Sequence, residues 1–255
     1  MYSNFVYEKI GSSGPVIVFL HGWGQNLNAF RPLAELFCDR AQLVLFDLPG
    51  FGKAPAPDHV WSSFDYAEHV MKALQSMGVS SFSVCGHSFG GKVAMSLATR
   101  YPQQVQSLVL LAASGLQRKR TLIERVRLQG IRALRWAVKA YDRMCTTRYF
   151  ETMFIPRFGS RDYKNADPSM RSILVKSVSE DFTPYLQEIA CPTLLLWGKD
   201  DLETPVEMAY RLQSHIPRSE LKVFSHKDHY LLSDCGYHLA AYHMQQFFEG
   251  CRVHE

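Results

Sequence analysis

The sequence predicts an α/β fold, with a mostly parallel central sheet, helices on both faces of the sheet and a helical insertion. The first observation behind this prediction is a set of short, continuous apolar runs, which are typical of strands buried on both faces. These runs lie at residues 15–20, 41–47, 81–86, 107–113, 192–198 and 220–225.

The second observation is the set of segments between these runs, which have the residue pattern of helices. They lie at residues 28–39, 63–78, 90–102, 206–217 and 237–250. Strand and helix therefore alternate along the chain, which is the arrangement expected of an open sheet covered by helices on both sides.

One interval, between residues 114 and 189, interrupts the alternation because it contains no convincing strand. Within it, residues 118–144 form a long amphipathic pattern, with apolar residues at three- to four-residue steps: Ile131, Leu134, Val138 and Tyr141. We therefore expect a core formed by residues 1–113 and 190–255, and a helical cap, or lid, formed by residues 114–189.

Apolar residues of this predicted cap are candidates to line or cover a substrate pocket, although cap packing explains most of them equally well. They are Leu122, Val126, Trp136, Tyr149, Phe150 and Phe154.

The composition is that of a chain that can bury a large core, with 255 residues, 47% hydrophobic and 20% charged. The longest apolar runs have the length of strands, so we expect no membrane span. The N-terminal residues lack the apolar middle of an export signal, and we expect a cytoplasmic protein. Six cysteines occur without a Cys-x-x-Cys pair or a zinc-like Cys/His spacing, so no metal site is predicted.

The segment "FSVCGHSFGGKVAMSLATRYP", residues 82–102, places one serine between two glycines where a strand gives way to a helix. Such a turn is so tight that side chains at Gly86 and Gly90 would clash, and it leaves the Ser88 hydroxyl exposed on a strained backbone. The N-terminal N–H groups of the following helix point at any negative charge that forms there. Ser88 is therefore the candidate nucleophile.

Three segments around this turn resemble the motifs of the α/β-hydrolase family. "FLHGWG" (19–24) is similar to the family's oxyanion loop, "FDLPGFGKA" (46–54) to the loop after its next strand, and "CGHSFGG" (85–91) to its nucleophile elbow. The resemblance runs over nearly the whole chain. It implies the α/β-hydrolase fold and a serine, an acid and a histidine in that order.

The resemblance selects the acid and the base from two short segments. In "GKDDLETP", the family spacing between Gly198 and Pro205 selects Asp201, and Asp200 stays as the alternative. In "FSHKDHYLLSD", the pair of apolar or aromatic residues that follows the family's histidine selects His229. His226 remains open there, because an aspartate stands where the family usually has glycine before its histidine.

By the same resemblance, Ser88 attacks an acyl carbon, His229 carries the proton, and Asp201 orients the imidazole and stabilises its positive charge. The backbone N–H groups of Trp23 and Phe89 are the implied oxyanion donors. No metal or organic cofactor is needed. Related haloalkane dehalogenases and epoxide hydrolases use an aspartate at the elbow, so the serine favours hydrolysis of a carboxylic ester with a medium or small acyl part.

Residues 118–148 carry ten lysines and arginines against Glu124 and Asp142 alone. This excess is explained either by a solvated helix face or by attraction of an anionic substrate, or of an acidic acyl carrier protein that bears the acyl chain. Esterases of biotin synthesis, which act on an acyl-carrier-protein methyl ester, resemble this chain in "HGWG", "DLPGFG" and a basic cap, although their elbow usually differs. Thioester hydrolysis, carbon–carbon bond hydrolysis and ligand reception without turnover stay open, and nucleic-acid binding is not expected.

Overall fold

The computed structural model describes residues 5–118 and 121–252, and its centre is a seven-stranded sheet in the order β1-β3-β2-β4-β5-β6-β7. β1 is antiparallel to β3, and every other pair of neighbours is parallel. The predicted fold class is confirmed. The strands are β1 (Val6–Ile10), β2 (Val16–Leu20), β3 (Gln42–Asp47), β4 (Phe82–His87), β5 (Val105–Leu111), β6 (Thr193–Gly198) and β7 (Ser219–Phe224).

The helices follow the alternation that the sequence predicts outside the insertion. They are α1 (Arg31–Glu35), α2 (Ser63–Ser76), α3 (Phe89–Arg100), α4 (Leu122–Cys145), α5 (Ile155–Phe158), α6 (Arg161–Asn165), α7 (Arg171–Ser179), α8 (Val206–His215) and α9 (Gly236–Arg252). A π-helical turn covers Phe150–Phe154, and short 3-10 helices cover Leu27–Ala29 and Thr183–Glu188.

β1 is the strand that the sequence analysis missed. It is an edge strand, paired only with β3, and its residues alternate between half-buried and exposed. Its central Glu8 and Lys9 break any continuous apolar run, because an edge strand with one solvated face needs only every second residue to be apolar. A search for fully buried strands therefore passes over it.

The sheet separates two apolar layers, as the alternation of side chains along a strand requires. In β2, Val18 and Leu20 belong to the layer that α2, α3 and α8 cover. Ile17 and Phe19 of the same strand belong to the opposite layer, which α1 and α9 cover. The sheet is thus buried on both faces, and its accessible functional surface is the edge where the parallel strands end.

The interval between β5 and β6 contains α4 to α7, and no strand occurs in its described part. α4 packs inward through Ile131 and Val138, which contact the cluster of Phe150, Phe154 and Ile155. The predicted apolar face is half wrong, because Leu134 and Tyr141 are exposed. These two residues lie about 60° further round the helix than Ile131 and Val138. The division into core and cap stays a prediction.

Among the helices in the described residues, none is both long and apolar enough to cross a bilayer.

Substitution of two glycines, Gly90 in α3 and Gly130 in α4 as its control, tests how tightly α3 packs against β2. A Cβ atom on Gly90 would lie 2.0 Å from the Leu20 carbonyl oxygen, whereas a Cβ atom on Gly130, inside α4, would meet nothing within 4 Å. We expect Gly90→Ala to lower the free energy of unfolding by about 2–3 kcal/mol. Gly130→Ala should instead raise it by up to about 1 kcal/mol.

Urea unfolding followed by circular dichroism measures both variants. Equal stability of the two variants would contradict the close approach of α3 to β2.

Candidate active site

Ser88 occupies a strained backbone position between β4 and α3, with φ of 50° and ψ of −112°. The two flanking glycines are required by contact distance, since a Cβ on Gly86 would lie 2.4 Å from the Gly90 carbonyl oxygen. Hydrogen bonds hold the strained residue. Its N–H donates to the Leu111 carbonyl (3.0 Å), and its own carbonyl accepts from the Ser114 N–H (3.0 Å). The turn predicted from the sequence is therefore present, and the surrounding strands fix it.

The structure brings the three predicted side chains together, although they are far apart in sequence. His229, after β7, has its Nε2 3.0 Å from the Ser88 Oγ. Its Nδ1 lies 2.8 Å from Oδ2 of Asp201, which follows β6. Because β4, β6 and β7 are parallel, their carboxyl ends share one edge of the sheet, and the loops that follow them converge there. Both distances are within hydrogen-bonding range.

Asp201 is held by a turn that satisfies its carboxylate. Oδ1 accepts the backbone N–H groups of Glu203 and Thr204, each at 2.8 Å. Oδ2 accepts the Thr204 hydroxyl at 2.8 Å in addition to the His229 ring. Burial alone would raise the pKa of Asp201, but the hydrogen bond and charge of His229 and the two Thr204 donors outweigh it, and the net pKa is lowered. The carboxylate is thus kept ionised.

The pKa of His229 is shifted in the opposite direction to that of Asp201. Burial lowers its pKa, but the hydrogen bond and charge of Asp201 raise it more, and Glu203 adds to the effect, so that the net pKa lies above 6.5. The Glu203 carboxylate is 3.4 Å from Nε2, on the same side of the ring as Ser88. The site is therefore arranged to favour the protonated imidazole, which is the form that a general base takes after accepting a proton.

The two alternative residues lie elsewhere. Asp200 and His226 are both exposed. His226 sits with a φ of 58° on the turn after β7, and the Asp200 N–H donates to the Lys227 carbonyl. The geometry around Ser88 thus favours Asp201 and His229 over these alternatives, and the catalytic roles themselves stay predictions.

Two buried histidines support the loops around Ser88. The ring of His87 contacts the backbone of the candidate base, with Nε2 2.9 Å from the His229 carbonyl oxygen. The Nε2 of His21 accepts the Leu48 N–H at 3.0 Å, which ties the loop after β2 to the loop after β3. Burial lowers the pKa of each to about 4, so both are neutral near pH 7.

Trp23 and Phe89, the predicted oxyanion donors, lie next to each other at the cavity wall. Their rings meet edge to face, with centroids 5.4 Å apart, and Phe51 packs against Trp23 at 4.8 Å. Phe89 is the first residue of α3, and the first N–H groups of a helix have no acceptor within the helix itself. The aromatic contacts fix both backbones, while their role as oxyanion donors remains a prediction.

A cavity of about 580 Å³ opens beside Ser88 and His229. Its core wall includes Trp23, Phe89 and Met208. Its other wall comes from the insertion, and is mixed rather than apolar, since Arg132, Arg135, Asp162, Tyr163, Leu174, Val175, Val178 and Glu180 contribute to it.

The expectation that six particular apolar residues of the insertion line this cavity is wrong, because none of them is in its wall. Leu122, Val126 and Trp136 are 76%, 61% and 75% exposed. Tyr149 is also exposed, while Phe150 and Phe154 are buried in the insertion's own small core. The sequence pattern does not distinguish a cavity wall from an outer face, because both place apolar residues at helical spacing.

Lys92, one turn after Ser88 in α3, is a buried cation that joins the insertion to the core. Its ammonium donates to the carbonyl and to the hydroxyl of Ser177 in α7, and lies 3.9 Å from the Glu180 carboxylate. Glu180 also accepts the N–H and the hydroxyl of Ser63, at the start of α2. Burial lowers the pKa of Lys92 to about 8, although Glu180 partly opposes the shift.

Comparison with known proteins agrees with this arrangement of strands and loops. A family model described as the alpha/beta hydrolase fold matches residues 15–136, which include the Ser88 turn and the loop of Trp23. The fold of the chain is that of the α/β hydrolases. The match ends before Asp201 and His229, so the evidence for these two positions is the contact of His229 with Ser88 and of Asp201 with His229.

Several individual proteins are similar to this chain over most of its length. The pimeloyl-[acyl-carrier protein] methyl ester esterase of Nitrosomonas europaea is 27% identical over 88% of this chain and 92% of its own. A 2-hydroxy-6-oxononadienedioate/2-hydroxy-6-oxononatrienedioate hydrolase of Burkholderia vietnamiensis is 25% identical over 88% and 84%. The malate-bound thermophilic esterase of Thermogutta terrifontis, 20% identical, superposes with a TM-score of 0.73 over 97% of this chain and 93% of its own.

The sequence analysis gave no site role to four residues that contact the site: His87, Lys92, Glu203 and Thr204. A signal existed for Thr204, because a hydroxyl three residues after an aspartate is placed to close a turn on the carboxylate. The other three owe their positions to contacts between distant segments. Lys92 in particular meets Ser177 across 85 residues of chain.

The neutral, buried state of His21 predicts a pH dependence of stability. Below about pH 6.5 the unfolded chain takes up a proton at this residue, which the folded protein does not accept until about pH 4. The free energy of unfolding should therefore fall as the pH falls between these values, and His21 should account for about 2 kcal/mol of the fall between pH 7 and pH 5. His21→Gln should remove that share, measured by urea unfolding at pH 7 and pH 5.

His238→Gln, at an exposed position in α9, is the matched control and should leave the dependence unchanged. An identical loss of stability on acidification in the His21 variant and in the unaltered protein would contradict a neutral, buried His21.

Proposed function

We infer that this hydrolase cleaves a carboxylic ester through an acyl-enzyme, with Ser88 as nucleophile, His229 as general base and Asp201 as its orienting acid. The observation that carries the inference is the continuous set of contacts from Asp201 Oδ2 through the His229 ring to Ser88 Oγ, at 2.8 Å and 3.0 Å, beside a cavity. Nucleophile, base and orienting group are each within reach of the next.

In the proposed reaction, His229 transfers the Ser88 hydroxyl proton to the leaving alcohol. As Ser88 attacks the carbonyl carbon, His229 Nε2 accepts the hydroxyl proton and becomes an imidazolium, which Asp201 stabilises. The imidazolium then returns the proton to the leaving alcohol, and the acyl-enzyme forms. A water molecule activated by the same imidazole releases the acid and restores the serine. The raised pKa of His229 supports this role, because it favours the charged intermediate form.

The negative charge on the carbonyl oxygen needs donors that are already oriented. We assign them to the backbone N–H groups of Trp23 and Phe89, whose side chains line the cavity next to Ser88. One such donor typically contributes about 3 kcal/mol to lowering the barrier. The aromatic contacts among Trp23, Phe51 and Phe89 support the assignment, because they hold both backbones before substrate arrives.

The insertion, residues 114–189, acts in this proposal as the cap that selects the substrate. Arg118, Arg132 and Arg135 lie in the cavity wall, which also contains Asp162, Glu180 and Glu203. A negative charge placed at the three arginines, away from the reacting carbon, would be favoured in the ester. The esterase relative, named for a methyl ester on an acyl carrier protein, makes such a carrier-linked ester the specific alternative. Hydrolysis of a carbon–carbon bond is the second alternative, because the relative from Burkholderia vietnamiensis carries that type of name.

A substrate panel separates these reactions. We expect short p-nitrophenyl esters to be hydrolysed, and a dicarboxylic acid monomethyl ester to be preferred over the uncharged dimethyl ester, with the preference weakening as salt rises. Ser88→Ala should reduce turnover about a millionfold, as loss of the nucleophile does in serine hydrolases. Product formation by chromatography measures each reaction.

Two results would contradict the proposal. Undiminished hydrolysis by the Ser88→Ala variant would show that Ser88 is not the nucleophile. Ligand binding without turnover of any ester would indicate a receptor. Faster cleavage of a 2-hydroxy-6-oxo dienoate than of every ester would replace ester hydrolysis with carbon–carbon hydrolysis.

The raised pKa of His229 predicts the acid limb of the pH profile. The base must be neutral, so kcat/KM should fall as the pH drops through a pKa above 6.5. The Glu203 charge is one cause of that raised value, so Glu203→Gln should move the limb to lower pH. Ester hydrolysis across the pH range measures the shift.

Glu207→Gln, at an exposed position in α8, is the control and should leave the limb in place. An acid limb that is the same in all three proteins would show that Glu203 does not act on the titrating group.

A further inference from the structure

The outward face of α4 is apolar, although a helix of a folded core usually turns that face inward. Leu122, Ile123 and Met144 are 76%, 81% and 84% exposed. At about 100° per residue, six of the exposed apolar side chains fall within an arc of about 120° that runs along the 24-residue helix. We call this surface the outer strip; it consists of Leu122, Ile123, Val126, Leu134, Tyr141 and Met144.

Contacts on the other side of α4 fix this orientation. Ile131 and Val138 pack against the cluster of Phe150 and Phe154. The Asp142 carboxylate accepts the N–H of Phe150 at 2.8 Å and the hydroxyl of Thr147 at 2.6 Å. Because these groups anchor the inner face, rotation that buried the outer strip would break them. The strip is therefore a surface with no covering element among the described residues.

Positive charge borders the strip. Arg132 and Arg143 lie on one side of it and Arg127 lies beyond its other side, all three of them exposed, whereas the Lys139 ammonium lies over the Phe150 ring of the inner face. Trp136, which is 75% exposed, stands between the strip and the first of these margins. Glu124 and Asp142, the two acidic residues of α4, lie at about the same angle around the helix axis as the packed residues Ile131 and Val138. Apolar residues in the middle, an indole at the border and cations at the edges match the cross-section of a helix that lies in a lipid interface.

We propose that the outer strip of α4 binds the surface of an anionic lipid bilayer, with the helix lying in the interface plane. Each part of the surface then has a partner: the apolar side chains enter the acyl boundary, and the cations meet lipid phosphates. A second copy of the chain fits less well, because it would bring two strongly positive stretches together. An acidic protein would neutralise the arginines but would leave the strip without an apolar partner.

The same helix supplies Arg132 and Arg135 to the wall of the cavity beside Ser88. A bilayer on the outer strip would therefore lie about one helix diameter, roughly 10 Å, from that wall. Binding would hold the cavity close to compounds that partition into the lipid. The inference does not depend on the catalytic proposal, since binding requires no turnover.

Flotation of the full-length protein with vesicles tests the proposal. One set of vesicles contains phosphatidylcholine alone, and the other contains phosphatidylcholine mixed with phosphatidylglycerol. We expect binding to the anionic vesicles, at least about tenfold weaker binding to the neutral ones, and a decline with salt. Trp136 fluorescence should shift to shorter wavelength on binding, and Trp136→Phe should remove that shift while retaining most of the binding.

A strip variant tests the apolar contribution. The combined substitutions Leu122→Gln, Val126→Gln and Met144→Gln should weaken vesicle binding at least about tenfold, because three buried apolar contacts are lost. Glutamine is a good helix former, and circular dichroism and thermal unfolding should show that the fold is kept.

The matched control replaces three exposed apolar residues elsewhere on the surface, with Leu36→Gln, Val60→Gln and Tyr242→Gln, and should bind like the unaltered protein.

A charge variant tests the cations separately, and it does not alter the strip or the cavity. Arg127→Gln together with Arg143→Gln should weaken binding to the anionic vesicles by roughly tenfold or more. Binding by the strip variant that equals binding by the unaltered protein would overturn the proposal, as would absence of binding to both kinds of vesicle. The proposal would also be overturned if the protein did not bind vesicles but bound an acidic acyl carrier protein, or associated with itself, in a way that the same substitutions abolish.

Discussion

The close approach of α3 to β2 is the constraint on which the rest of the site depends. Gly90 lies so near the Leu20 carbonyl that no side chain fits, and this approach forces the turn that places Ser88 at a positive φ. The strain is held by hydrogen bonds to β5 and to the segment after it. Local strain of this kind persists only where the surrounding structure over-determines it, and here the two apolar layers of the sheet do so.

The parallel sheet converts this local turn into a site. The strands that precede Asp201 and His229 end at the same edge as β4, so the three side chains meet without any direct sequence relation. Burial then acts differently on each of them. It opposes ionisation of the carboxylate and of the imidazole, but the contact between the two groups outweighs it in both cases. The two buried groups therefore favour each other's charged forms.

The sequence was informative where a residue pattern is typical of a single local structure. Continuous apolar runs predicted six of the seven strands, and the Gly-x-Ser-x-Gly spacing predicted the turn at Ser88. It was uninformative where a residue's position depends on distant segments, as for Lys92 or Glu203. Periodicity also failed for α4, because spacing alone identifies an apolar face and does not say which way that face points.

α4 illustrates why that direction matters. Its inner side is held by Phe150 and Asp142, while Lys92 and Glu180 tie the later part of the insertion to α2 and α3. With its polar contacts satisfied on the inside, the helix is free to present Leu122 and Met144 to the outside. An exposed apolar surface costs free energy in water unless something covers it. Its persistence beside a positive margin is therefore better explained by a surface partner than by packing within the chain.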